Sequence, residues 1–247
     1  MVCQEPQRVT VKDRATRMAR IATGLMLMPL FALADGIVVD HIYDPYVQPL
    51  ETELEWRSIL QSDDDLGDVQ KHSFGIGRGW TDRWATEFYA IGTKAEGESI
   101  SVDAYEFEVK WQLTEQGEFA FDWGMLFELE REVQDDVWEL SGTLIASRDF
   151  GQWTGIANVG LIYEWGTGVQ NEIETALHVQ TRYRLKESFE PAIELHVGQD
   201  TIALGPAIIG LGRLSPGKKL RWEAGIFFGL DNQSPDQTIK LNFEFEF

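Results

Sequence analysis

The last eleven residues, Gln237 to Phe247, alternate polar and apolar side chains without a break. Ile239, Leu241, Phe243, Phe245 and Phe247 share one parity, and Thr238, Lys240, Asn242, Glu244 and Glu246 share the other. Successive side chains of a strand point to opposite faces, so the segment reads as a strand with one face for an apolar medium and one for water.

The same period recurs along the chain. About twelve runs carry it, centred on 47–60, 71–80, 83–93, 102–113, 118–130, 136–148, 152–165, 171–185, 189–198, 202–213, 218–230 and 237–247. In one, Tyr105, Phe107, Val109, Trp111 and Leu113 alternate with Glu106, Glu108, Lys110 and Gln112. No stretch of helical period competes, and the chain reads as all-β. The joins after the first, third and fifth runs are polar and longer. The even joins are tight: Thr81-Asp82, Thr114 to Gly117, Asp149 to Gly151, Lys186 to Ser188 and Ser215 to Gly217. Tryptophans gather toward both ends of the runs, with Trp80, Trp84, Trp153 and Trp222 near the tight turns. Period two alone does not say which face points inward, so a soluble barrel or sandwich stays open on the pattern itself.

The amino terminus bears on that choice. Arg14, Arg17 and Arg20 precede the apolar run Ile21 to Phe31, and Ala32-Leu33-Ala34 supplies small residues before Asp35. This pattern predicts a secretory signal peptide, with residues 1–34 as leader and cleaved segment and either Met1 or Met18 as the start. The one cysteine, Cys3, falls in the leader, which excludes disulfide and thiol chemistry downstream. Residues 35–247 hold 16 basic and 39 acidic residues, a net charge of −23. Such a balance excludes nucleic acid as a partner and favours cations or neutral solutes.

An exported chain of strands long enough to cross a bilayer when tilted, closing on Phe247 with Phe245 two positions earlier, resembles the Gram-negative outer-membrane β-barrels of the porin-like superfamily. The resemblance implies a single transmembrane antiparallel up-and-down barrel of about twelve strands over residues 47–247, with both termini periplasmic. It also implies residence in the cell outer membrane among lipid and lipopolysaccharide, and an assembly signal in Phe243, Phe245 and Phe247 that the barrel-assembly machinery reads. Residues 35–46 would hang in the periplasm or fold into the lumen.

In that frame the polar parity faces inward. The expected lumen lining is Glu53, Glu55, Arg57, Glu106, Glu108, Lys110, Asp122, Glu128, Glu172, Glu174, Arg182, Arg184, Glu223, Lys240 and Glu244. Twelve strands lie between eight, which side chains fill, and the sixteen or more of open porins. An acidic lining left open to water makes a narrow passive channel for small cationic or neutral solutes. Bridged by its arginines and lysines, the same lining makes a non-conducting structural or surface-interaction barrel.

The remaining motifs carry less. Phe74 to Gly79 and Gly205 to Gly212 are glycine-rich inside strands, with no helix to cradle a phosphate, and read as bends or close approaches. Ser62 to Asp68 lacks the ligand spacing of a calcium loop. The His followed closely by Ser-Asn-Gly of the outer-membrane phospholipases is missing, since Ser73-Phe74-Gly75 follows His72, and neither an enzyme nor a cofactor is expected. One pair stands out. A turn centred on Glu187 sets His178 directly opposite His196, close enough to share Zn²⁺ or Cu²⁺ with Glu194 nearby, which keeps a metal-handling role as a third reading.

Overall fold

The computed structural model describes residues 39–63, 67–95, 97, 99–134 and 136–247. The leader, its cleavage site, Cys3 and both candidate start residues lie outside the described residues. Twelve strands follow in chain order: β1 (Thr52–Ser62), β2 (Val69–Gly79), β3 (Trp84–Ala95), β4 (Ser101–Gln112), β5 (Asp122–Glu132) and β6 (Val137–Phe150). They continue as β7 (Trp153–Gly166), β8 (Glu172–Tyr183), β9 (Glu190–Val197), β10 (Ile202–Ser215), β11 (Lys218–Gly229) and β12 (Gln237–Glu246). Each pairs antiparallel with its sequence neighbours, and β12 returns to β1 through Glu53↔Glu246 to Ser62↔Gln237, so the barrel is closed and no strand edge is free.

Following the registers once around the wall returns to β1 displaced by about 14 residues, which for twelve strands sets a tilt of about 40° and a backbone radius of about 11–12 Å. The outer face is apolar: Phe74, Phe88, Phe107, Val159, Ile173 and Ile193 are among many exposed large side chains there. Trp84 stacks on Trp111 with ring centroids 4.8 Å apart at one end of the wall, and Trp138 on Trp165 at 6.4 Å at the other. These pairs fit the two interfacial girdles of a membrane barrel. Trp56 instead lies mid-strand, stacked between Phe74 and Phe243.

Two boundaries depart from the sequence pattern. The first strand begins at Thr52 rather than at residue 47, because Val47 turns inward and gives its N–H to Gln112. The β4–β5 join is not a tight four-residue turn but spans residues 113–121. Asp122 and Thr114 hold it by accepting from the Gly117 and Trp123 N–H groups, which takes Phe119 and Phe121 out of the strand. The length contrast between the two sets of joins is correspondingly weaker than the sequence implies. At the β8–β9 turn the expected centre holds. Glu187 accepts from Leu211 N at 2.8 Å and from Arg213, whose guanidinium keeps that exposed carboxyl below its ordinary pKa.

Candidate functional site: the occupied lumen

The chain ahead of β1 runs through the lumen. Residues 39–50 form an extended strap that follows the inner wall from mid-barrel to the rim where β1 starts and β12 ends. Leu50, at φ +66°, makes the sharp left-handed turn out of it, and its N–H reaches Gly79 O at 2.8 Å. Of the two sequence alternatives for this segment, the described part takes the lumenal one.

The wall holds the strap residue by residue. Asn158 on β7, 1% exposed, pairs with the Tyr43 backbone like a ladder rung: Tyr43 N donates to its Oδ1 at 2.8 Å, and its Nδ2 donates to Tyr43 O at 2.9 Å. The Tyr43 hydroxyl donates to Glu108 Oε1 at 2.7 Å, and that of Tyr46 to Asp122 Oδ2 at 2.7 Å. Lys240 Nζ donates to Asp40 O at 3.1 Å. Val39 is buried among Ala192, Ala203, Ala207, Ile209 and Phe227, small inward residues of β9 and β10 leaving the space. Glycines on the inner face of the wall leave more. A Cβ at Gly124 would come within 2.9 Å of Pro45 Cα, and one at Gly79 would overlap the Gln48 carbonyl oxygen.

Two charged knots line the waist of the wall beside the strap. In one, Arg57 spans Glu55 at 2.9 Å, Tyr89 OH at 2.7 Å and Tyr43 OH at 2.7 Å, with Glu108 at 3.4 Å, while Tyr89 OH donates to Glu55 and Glu87. The guanidinium lies 4.5 Å from the Tyr89 ring centroid. In the other, Lys240 bridges Glu194 at 2.7 Å and Glu223 at 2.5 Å, and Gln180 donates to the second Glu194 oxygen. Buried charges persist only when paired, and both knots pair theirs, although Arg57 Nε, Glu108 Oε2 and Glu223 Oε1 have no hydrogen-bond partner. A cavity of about 460 Å³ lies on the turn side, lined in part by Glu53, Lys110, Arg182, Arg221 and Glu244. One of about 370 Å³ on the loop side is lined in part by Lys71, Asp103, Glu130 and Glu132.

Above the waist the wall is acidic on one side. Glu106, Glu130, Glu139, Glu164 and Glu172 are successive cross-strand partners on β4 through β8, a single register row of five carboxylates. Glu108 and Glu128 form the adjacent pair.

Glu53, Glu55, Arg57, Glu106, Glu108, Lys110, Asp122, Glu128, Glu172, Arg182, Glu223, Lys240 and Glu244 lie on inward parity or in the knots and cavities above, and Glu174 shares the parity of Glu172. Arg184 is the exception. It follows the end of β8 and binds Asp149 at 2.7 Å and Gly151 O at the β6–β7 turn, because the strand stops at Tyr183. Phe243, Phe245 and Phe247 take the outward parity. His178 and His196 are partners in register, with Nδ1 atoms 3.0 Å apart, while Glu194 meets the other ring nitrogen of His196 and is engaged by Lys240. Tyr43, Tyr46, Tyr89 and Asn158 carry much of the site without having been singled out by sequence. The inward glycines at 79 and 124, against which Gln48 and Pro45 lie, are the sequence signal that could have found an occupant.

A closed antiparallel wall of twelve tilted strands, apolar outside and charged within, is the fold of the porin-like outer-membrane β-barrels. Solved structures agree on that fold. The KdgM porin in complex with disordered oligogalacturonate is 10% identical with a TM-score of 0.53, over 79% of this chain and 98% of that one. An outer-membrane channel from Pseudomonas putida F1 is 14% identical with a TM-score of 0.54, over 84% and 98%. The NanC porin is 10% identical with a TM-score of 0.52, over 78% and 98%. At these identities the likeness is one of fold. No protein-family model matches the sequence, and no curated protein does.

Proposed function

We propose that this protein is a Gram-negative outer-membrane channel whose strap is its closed state, and whose open lumen passes small cations or neutral solutes. The observation that carries the reading is the strap itself. Residues 39–47 are fastened by side chains of the wall rather than built into the sheet, so they can leave without breaking a rung between strands, while Leu50 at the turn stays anchored through its backbone bond to Gly79. The five-carboxylate row supports a cation preference, since a lining of one sign lowers the free energy of the opposite ion in a narrow pore. We place the rim that holds both the start of β1 and the end of β12 in the periplasm, which puts the strap on the side from which an exported chain arrives. That the solved structures sharing this fold include porins and an outer-membrane channel is consistent with this reading.

Planar-bilayer recording of two refolded chains tests it. Residues 35–247 should give rare, brief openings. Residues 48–247, which lack all but the last turn of the strap, should conduct steadily with a reversal potential in a salt gradient that marks cation preference. A silent 48–247 barrel that still shows the heat-dependent mobility shift of a folded barrel would overturn the channel and leave a structural barrel.

A further inference from the structure

Behind the Tyr43 hydroxyl the wall gathers more negative charge than its own cations cancel. Glu106 and Glu108 share the inner face of β4, and Glu128 is the direct partner of Glu108 on β5. One carboxylate oxygen from each of the three lies within 4.8 Å of the other two. Like charges directly opposite in a ladder are destabilising, so sheet pairing gives no reason for the arrangement. Hydrogen bonding leaves part of it unexplained as well. Glu108 is 1% exposed and its Oε1 accepts from Tyr43 and Arg57, but its Oε2 is buried with no hydrogen-bond partner. A small cavity of about 20 Å³ adjoins two of the three, Glu106 and Glu128, and is bordered as well by Asp40, Arg57, Ile59, Lys71, Ser73 and Ile91. That is room for one ion or water-sized occupant.

We infer that Glu106, Glu108 and Glu128 of the wall, with Asp40 of the strap, bind one divalent cation of the Ca²⁺ class inside the lumen. The donors are all oxygens, which suit a hard cation rather than Zn²⁺ or Cu²⁺. Ca²⁺ accepts irregular sets of six to eight oxygens, whereas Mg²⁺ requires near-octahedral geometry, so Ca²⁺ is the preferred occupant. Ser141, whose hydroxyl donates to Glu128, orients that carboxylate. Because Asp40 is on the strap and the glutamates are on the wall, the ion fastens one to the other. The inference rests on the strap reading for its consequence, but binding is measured without current. Ca²⁺ binding by a barrel that never conducts would keep the site and sink the channel, and conduction without Ca²⁺ binding would do the reverse.

The test is calorimetric titration of CaCl₂, and separately MgCl₂, into residues 35–247 refolded in lipopolysaccharide-free detergent and stripped with a chelator. Wild type should bind one Ca²⁺ per chain, more tightly than Mg²⁺, with a rise in the temperature of the mobility shift. The double variant Glu106→Gln, Glu128→Gln should lose at least tenfold in affinity. Asp40→Asn should also lose at least tenfold, and since it alters the strap and not the wall it keeps the test decisive if the double variant fails to fold. Absence of saturable Ca²⁺ binding in wild type, or unchanged affinity in either folded variant, would overturn the inference.

Discussion

Asn158→Ala isolates the strap from the wall. Asn158 sits at 1% exposure on β7 and touches the strap through two hydrogen bonds, 2.8 and 2.9 Å, to the N–H and carbonyl of Tyr43. Each neutral hydrogen bond contributes about 1 kcal/mol net, so the pair holds the docked strap by about 2 kcal/mol. The backbone rungs of β7 to β6 and β8 do not involve the side chain, so the barrel keeps its stability. A loss of about 2 kcal/mol multiplies the undocked-to-docked ratio by about 30. The readout is modification of an Ile42→Cys residue by a membrane-impermeant maleimide in residues 35–247. Ile42 is buried when the strap is docked and reacts only on release. Where docking is fast relative to modification, the rate follows the undocked population, and Asn158→Ala should label about 30-fold faster. Rates within twofold of each other, in barrels of equal heat stability, would refute the view that the strap is held by these side-chain contacts.

Other expectations follow from the same geometry. Lys240→Met removes the cation between Glu194 and Glu223 and should lower barrel stability by about 3–5 kcal/mol, seen as an earlier heat-dependent mobility shift; an unchanged shift would show that the knot is solvated. Gly124→Val places a branched side chain against Pro45 and should raise the conductance of residues 35–247 toward that of residues 48–247, without effect on the latter. For the histidine pair, Zn²⁺ should bind wild type and His178→Ala with the same weak affinity, because Glu194 is already engaged by Lys240 and Gln180; a tenfold difference would restore the pair as a metal site.

The wall was legible in sequence because it obeys a local rule. Each strand must present apolar side chains to one medium and polar ones to another, and a period of two records that choice in every run, down to the register that sets His178 opposite His196. Arg184 follows the same parity yet leaves the lumen, because parity carries no information about where a strand ends. The strap was not legible for a related reason. Asp40 to Val47 have no period at all, and their place is fixed by distant partners such as Gln112, Asn158 and Lys240, 65, 115 and 200 positions away. Asn158 reads as an ordinary inward polar residue until something arrives to be bound. The glycines at 79 and 124 held the complementary information, but an absent side chain does not say what fills its space.

A segment that occupies a binding surface from a few residues away is a tethered ligand. Short flexible tethers hold a ligand at an effective concentration on the order of millimolar. A free peptide copied from residues 39–49 therefore competes with the native strap only at comparable concentrations, but reseals a barrel of residues 48–247 wherever its own affinity allows. The lumen in this sense is a receptor for a peptide, and any solute that crosses it does so by displacing or outlasting the part of the chain that already fits.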